Sequence, residues 1–350
     1  MLRNIIKIGA FLFNIAVVLA LLLSASAQFL SPENYPFSSY LAMAFLPLVI
    51  INVFFVLFWA LRLKWHFLLS FLCLLLLYNN VRTSVSISKN KKELVGEDVK
   101  IMTYNVMLFD YYKKDSKILN YVANSDADII CLQEIGLHKN EKDFLSKEKM
   151  MTALKKYPYS HINITLNRNK VTYGIATFSK YPIVNKGIVE YESNFNSSIY
   201  SDIKIGDDTI RVFNNHLESN RLSKEDKANL TEKMDSEIVS QMAGKLGIAA
   251  AIRAKQAEAV ANKIAESPYK VLVCGDLNDV PVSYVYRTMS RNLSDTFMGS
   301  GAGLGITYSD NLYRFRIDYI LADKNLQYYD YHINNVKYSD HYPVYCTVKL

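Results

Sequence analysis

The sequence predicts an α/β fold, a four-layer sandwich of two mixed β-sheets flanked by helices, preceded by an N-terminal transmembrane helical region. Three observations predict it. Short β-rich runs alternate with helical stretches from residue 99 onward. Several of those runs follow one another as meanders, which leaves the long helices to cover the sheets from outside. Residues 1–84, by contrast, are dominated by Leu, Phe, Ile, Val and Ala. The mean hydropathy of +0.03 is thus an average over two unlike parts. The expected organisation is a membrane region over 1–84, a polar, lysine-rich linker over 85–98 and a second domain over 99–350, large enough for a core between two sheets.

Residues 5–23 form an almost unbroken apolar run, and residues 41–61 form a second. At about 1.5 Å per helical residue each is long enough to cross the hydrocarbon core. A third run, 67–78, is short unless it borrows Trp65 and residues 79–85. Arg3 and Lys7 flank the first run, while Arg62, Lys64 and His66 follow the second, so these ends belong on the cytoplasmic side. Three spans then place the second domain outside the cytoplasmic membrane, the expectation adopted. Arg82, Lys89, Lys91 and Lys92 oppose it, and a third run lying in the interface would leave the domain cytoplasmic. Ala25-Ser26-Ala27 has the small-residue pattern of a signal-peptidase site; an uncleaved anchor is the preferred reading. Either way a lipid bilayer is the expected partner of the N-terminal helices, and no obligate protein partner is evident.

The net charge of +7 suits contact with phosphates or anionic lipid, and equally a solvated basic surface. Cys73, Cys131, Cys274 and Cys346 offer no disulfide framework. The last three sit in strand-like apolar runs, where cysteine behaves as a small core hydrophobe, and no CxxC or Cys/His spacing suggests zinc.

Strands are predicted over 99–105, 128–133, 172–178, 183–190, 197–205 and 209–216, then over 270–274, 317–321, 329–336 and 344–348. Helices are predicted over 116–123 and 141–155. Residues 223–266 read as a long polar helix broken near 244–247 (GKLG), whose Arg253 and Gln256 cover a sheet face. The glycine-rich 299–305 (GSGAGLG) lacks the strand before and helix after of a phosphate-binding loop, and reads as a flexible loop.

Polar and acidic residues recur where apolar strands end, Asn105, Glu134, His216, Asp276, Asn278, Asp340 and His341, and Asp318 lies inside the run 316–321. Any one of them could cap a turn or satisfy a core group. Strand ends along one edge of a sandwich converge, however, and the set is chemically coherent. Oxygen ligands without thiolate select magnesium, manganese or calcium. Attack on a phosphodiester needs charge neutralised on the phosphoryl oxygens, a base for water and donors aimed at developing negative charge.

The motifs TYNV (103–106), LQE (132–134), NHL (215–217), GDLN (275–278), RIDYIL (316–321) and SDH (339–341) stand in the order found in the endonuclease/exonuclease/phosphatase superfamily, which the stretch 99–350 resembles. Deoxyribonuclease I, the exonuclease III-type abasic-site nucleases, neutral sphingomyelinases and inositol polyphosphate 5-phosphatases belong to it. The resemblance implies a divalent-metal-dependent phosphodiester hydrolase, using Mg2+ or Mn2+, whose substrate is nucleic acid or a phospholipid headgroup. It implies Glu134 as principal metal ligand with Asn105 beside it, and Asp340 as a further metal or structural carboxylate. Asp276 resembles the residue that positions or deprotonates water, and Asn278 the one holding the phosphate. His341 resembles a phosphate-contacting histidine oriented by Asp318, and His216 a donor to the phosphate or leaving group. Tyr173 lies near the place of a phosphate-contacting aromatic.

Three departures stand out. Met107 replaces the acidic residue that abasic-site nucleases carry two positions after the Asn. Asp279-Val280-Pro281 replaces the aromatic and Arg residues that follow GDLN in 5-phosphatases. No Glu occurs between Glu148 and Glu190, so the partner of His216 is open. The competing readings are a membrane-tethered module that binds phosphorylated ligands without turnover, and a phosphomonoesterase.

Overall fold

A computed structural model describes residues 2–88, 98–139, 144–168, 170–193, 195–220, 236–310 and 313–350. Two compact units are distinguished; the described part of the first comprises residues 2–85, 236–254 and 280–287.

In the first unit the apolar runs fold as α1 (Leu2–Ser26) and α2 (Ser38–Ala60), both long and apolar enough to cross a membrane. Large side chains such as Ile5, Leu12, Phe13, Leu19, Phe54 and Leu57 point outward, as lipid contact requires. Inside, Asn14 is fully buried and hydrogen-bonded on both sides. Its amide donates to Ser70 Oγ at 2.7 Å and its oxygen accepts from Trp59 Nε1 at 3.1 Å, tying together the first three helices. The third predicted run is a broken pair, α3 (Phe67–Leu76) and α4 (Tyr78–Ser84), bent by 75°. It makes a third span only if the bent pair counts as one.

The long helix Ser236–Ala265 runs unbroken through 244–247, against expectation. Two glycines cost about 2 kcal/mol of helix propensity relative to alanine, but Gly247 packs closely: an added Cβ would stand 3.2 Å from Pro36, which would have to give way slightly. The predicted start at 223–235 lies outside the described residues.

In the second unit twelve strands build two six-stranded sheets among the described residues. They are β1 (Asp98–Asn105), β2 (Ile129–His138), β3 (Tyr159–Arg168), β4 (Val171–Ser179), β5 (Ile183–Val189), β6 (Ser197–Ile205), β7 (Asp208–His216), β8 (Lys270–Asp276), β9 (Leu293–Asp295), β10 (Asp318–Asp323), β11 (Gln327–Ile333) and β12 (Val344–Lys349). One sheet has the order β11-β12-β1-β2-β4-β3, the other β9-β10-β8-β7-β6-β5. Each is antiparallel except for one central parallel pair, β1/β2 and β7/β8.

Period-two alternation sorts the side chains. Val99, Ile101, Ile129 and Cys131 face inward against Val212, Leu272 and Cys274 of the other sheet. Met102, Tyr104, Ile130 and Leu132 face outward, under Leu119 and Val122 of α5 (Lys117–Asn124) and Met150 of α6 (Lys147–Ala153). Each fully buried side chain of this size is worth about 1.5–3 kcal/mol. Cys131, Cys274 and Cys346 are core residues, as expected.

Four differences from the sequence reading have local causes. β3 was missed because Asn163, Asn167 and Arg168 interrupt its apolar pattern on a half-exposed edge. α6 is shorter than 141–155: Ser146 Oγ accepts from the Lys149 amide and starts it late, while 141–143 lie outside the described residues. Within 299–305, Ala302–Gly303 pairs with Ser86–Ile87, so the stretch is not wholly loop. That pairing also gives structure to the start of the expected linker, of which residues 89–97 lie outside the described part.

Candidate active site

The site forms where the two central parallel pairs end side by side. Asn105 closes β1 in register with Gln133 of β2, and His216 closes β7 in register with Asp276 of β8. Glu134 then departs from regular pairing. Leu132 pairs with Ala176 and Ile135 with Gly174, so Gln133 and Glu134 together oppose Ile175 alone. Glu134 has φ +52°. The extra residue is a bulge that re-aims this side chain. At the end of β8, Gly275 has φ +127°, and a Cβ there would meet the Asn215 carbonyl oxygen at 2.1 Å. Only glycine lets the two strands come together here.

Asn105 ties the carboxylates. Its Nδ2 donates to Glu134 Oε1 and to Asp276 Oδ2, both at 3.1 Å, while its oxygen accepts from the Met107 amide at 3.1 Å. The side chain is therefore fixed as a donor toward both acids. Met107–Tyr112 follow with φ of +41° to +68°, a left-handed turn costing about 1–2 kcal/mol per residue. Gly136 makes room for it, since a Cβ there would stand 2.7 Å from Leu108 Cβ.

Asp276 is buried. Its Oδ1 accepts from the Asn278 amide at 2.8 Å, and its Oδ2 lies 3.6 Å from His341 Nε2. The other nitrogen of His341, Nδ1, stands 2.9 Å from Asp318 Oδ2. Asp318 is itself held by its backbone amide, which donates to Thr307 Oγ1 at 3.0 Å. Asp276, Asp318 and His341 thus present donor atoms within 4.8 Å of one another. Asn278 takes φ +51° and donates from Nδ2 to the Leu217 carbonyl at 2.9 Å, which leaves its second N–H.

Charges follow from this packing. Burial pushes the Asp276 carboxyl up to about 6, with His341 pulling the other way. Burial would depress the His341 imidazole, but Asp318 and then Asp276 outweigh it and carry its pKa up to about 10. His341 is therefore an imidazolium at neutral pH. Burial raises the Glu134 carboxyl, opposed by its bond from Asn105. His216 goes the other way: burial lowers it, only partly offset by Asp276.

The open question of the His216 partner is answered by Tyr173, whose hydroxyl lies 3.2 Å from His216 Nδ1. Burial and then Glu134 raise the Tyr173 pKa, so the phenol stays neutral. His216 Nε2 lies 3.5 Å from Glu134 Oε1 and 4.0 Å from Asp276 Oδ2. It is buried without a hydrogen-bond partner among the described atoms. Asp340 is half-buried, and its Oδ1 lies 3.3 Å from Ser339 Oγ. Its charge is felt by both Glu134 and His341.

The structure thus brings together every sequence-predicted site residue. It adds supports that sequence reasoning missed. Ser339 Oγ donates to the Asn105 carbonyl at 3.0 Å, locking the SDH loop to β1. Gln133 Nε2 donates to Asn214 Oδ1 at 2.7 Å and to Thr103 Oγ1 at 3.0 Å, a buried clamp between the sheets below Glu134 and His216. Gln256, read as covering a sheet, accepts from the Glu218 amide at 2.7 Å.

The carboxylates suit a hard divalent cation, oxygen donors without thiolate with Glu134 re-aimed by its bulge, whereas Asn105 turns its nitrogen to Glu134 and its oxygen to the Met107 amide and so supports the site as a donor. The Asp276–Asp318–His341 group suits it less, because Asp318 already holds His341 as a cation.

A model of the Endonuclease/Exonuclease/phosphatase family matches residues 102–341. A second, of a domain of unknown function (DUF8431), matches residues 3–84. Among solved structures the chain is similar to an endonuclease/exonuclease/phosphatase from Beutenbergia cavernae DSM 12333, at 15% identity and TM-score 0.49 over 72% of each chain. It is similar to an endonuclease/exonuclease/phosphatase family protein from Leptotrichia buccalis C-1013-b, at 19% identity and TM-score 0.49 over 72% of this chain and 100% of that one. Humanized D. rerio TDP2 shares the fold, at 16% identity and TM-score 0.50 over 72% of this chain and 99% of that one. No curated protein matches the chain.

Proposed function

Because this chain belongs to the endonuclease/exonuclease/phosphatase family, whose members are generally metal-using hydrolases of phosphodiester bonds, we propose that it hydrolyses a phosphodiester by metal-assisted attack of water. The observation that carries this reading is the single cluster of hydrogen bonds and one ion pair joining Glu134, Asn105, Asp276, His341 and Asp318. Glu134 and Asp340, with Asn105 beside them, would hold a magnesium or manganese ion. Such an ion supplies charge neutralisation at the phosphoryl oxygens.

Asp276, with its carboxyl near 6, is matched to accepting a proton from water near neutral pH. Cationic His341 faces the negative charge that develops on phosphorus-bound oxygen. The remaining N–H of Asn278 and the unpartnered Nε2 of His216 are available as donors to the phosphate or the leaving oxygen. Tyr173 serves by orienting His216, so its contact with substrate is indirect.

The test uses the full chain in detergent, with bis-p-nitrophenyl phosphate and p-nitrophenyl phosphate as substrates and magnesium or EDTA added. Turnover of the diester that EDTA abolishes is expected. Cleavage of the monoester alone would replace this reading with a phosphomonoesterase, and phosphate-ester binding without turnover would replace it with a binding module. A nucleic-acid substrate would show affinity falling steeply with salt, and a phospholipid headgroup substrate would not.

The reading of α1 to α4 as three spans puts this domain on the extracytoplasmic side. An Asn90→Cys variant should then react with a membrane-impermeant maleimide in intact cells. Labelling only after permeabilisation would place the domain in the cytoplasm.

A further inference from the structure

Two segments distant in sequence from α1–α4 belong to the first unit: residues 236–254 of the long helix, and Val280–Arg287. Both pack on the connection between α1 and α2 or on the helix ends beside it. The Tyr40 hydroxyl, in the first turn of α2, donates to the Ala243 carbonyl. Gly247 approaches Pro36 so closely that only a bare backbone fits without displacement. Val282 is 2% exposed and lies in one cluster with Val18, Leu21, Ala25, Phe45 and Val49. The Arg287 guanidinium stands 4.3 Å over the Phe29 ring. Val282 also has φ +68°, a conformation that β-branched residues avoid and that persists only where the surroundings enforce it.

Elementary geometry gives these contacts a location. α1 and α2 each have the length of a bilayer span, so the connection at residues 27–37 lies at one bilayer face. Whatever packs on that connection sits at headgroup level. Phe29, Tyr35 and Phe37 are 61%, 48% and 50% exposed there, and tyrosine is a residue that collects at the membrane–water boundary. In the long helix, Val239, Ala243, Leu246 and Ala250 recur on one face. Ala243 meets Tyr40, whereas Val239 remains 46% exposed on the same face. The opposite face carries Glu237, Gln241 and Lys245, with Ile248 59% exposed among them. Ala250 is 1% exposed, so Val239 is the residue of this face left to meet the bilayer interface.

We propose that residues 236–254 and Val280–Arg287 form, with the α1–α2 connection, a surface that docks on the headgroup region of a lipid bilayer. The chain is then fixed to the membrane surface at two further places, one of them the segment that follows Asp279. The proposal rests on reading α1 and α2 as spans.

The test uses the full chain in phosphatidylethanolamine–phosphatidylglycerol vesicles. All four native cysteines are buried, so a single added cysteine can carry a nitroxide. Collision with oxygen and with a water-soluble nickel chelate is measured at Val239→Cys, Gln241→Cys and Phe54→Cys. A lipid-like Phe54→Cys, an interfacial Val239→Cys and a water-like Gln241→Cys are expected. Equal water access at Val239→Cys and Gln241→Cys, with Phe54→Cys still in lipid, overturns the docking alone. A water-like Phe54→Cys removes the spans and the docking with them. Adding Gly247→Leu should displace Pro36 and shift the Val239→Cys label toward water; no shift would overturn the packing described.

Discussion

Replacing Asp276 by alanine is expected to lower kcat by about 10²- to 10⁴-fold, the range that loss of a positioned general base produces. Asp276 holds the middle of the site, between the Asn105 amide, the Asn278 backbone amide and His341. The stability consequence has a definite sign. Its carboxyl is raised from 3.8 to about 6 on folding, first by burial. A raised carboxyl stabilises the fold only while protonated, an advantage complete below pH 3.8 and gone once the pH has risen through 6. At pH 7 the buried carboxylate opposes folding, so Asp276→Asn, which keeps shape and some hydrogen bonding, should lose activity without a lower Tm. Wild-type kcat/KM should show an acid limb at or below pH 6, since a bound cation can only pull the carboxyl downward. Steady-state kinetics with thermal unfolding of the same preparations checks all three. A Tm loss in Asp276→Asn with kcat preserved would make the residue structural.

How much of this was legible in the sequence depended on the range of the physics involved. Strands with clean alternation or continuous apolar content, bounded by Gly and Asp, were readable within a residue or two, as at Ser197–Ile205. Local pattern failed at Tyr159–Arg168, where an edge strand has little to bury and tolerates polar residues. It failed again at Gly244 and Gly247: glycine in a helix reads as a break, and the approach of Gly247 to Pro36 cannot be seen in local sequence. The site residues were visible because carboxylates, Asn and His at strand ends are unusual together. Their supports were not visible, because a support is a relation between distant elements. Glu134 could be named, but the bulge that aims it arises from a register shift against β4. The Tyr173 hydroxyl bond to His216 was not visible, because it joins residues 43 positions apart. Gln133 and Asn214 carried no chemical signal at all, since a buried amide pair between sheets looks like any two amides in a strand.

The loss expected from His341→Ala is about 10²- to 10³-fold in kcat, the scale for removing one donor to developing negative charge. Here the imidazole bridges two buried acids, Asp318 at Nδ1 and Asp276 at Nε2. Removing a bridging cation leaves both acids unpaired, so His341→Ala should also lower Tm; His341→Gln, which can still donate to Asp318, separates the two effects. Burial alone would depress this imidazole, yet Asp318 and then Asp276 raise it from 6.5 to about 10. Its stabilisation is thus full below pH 6.5 and disappears as the pH climbs through 10. Tm should fall across that window in the wild type and fall less in His341→Gln. Asp318→Asn should move the alkaline limb of kcat/KM downward, because the carboxylate that holds the proton on His341 is gone. Combined with His341→Gln, it should add little further loss, as two residues acting through one proton are not additive. Fully additive losses, or an alkaline limb unmoved in Asp318→Asn, would show that Asp318 does not act through His341.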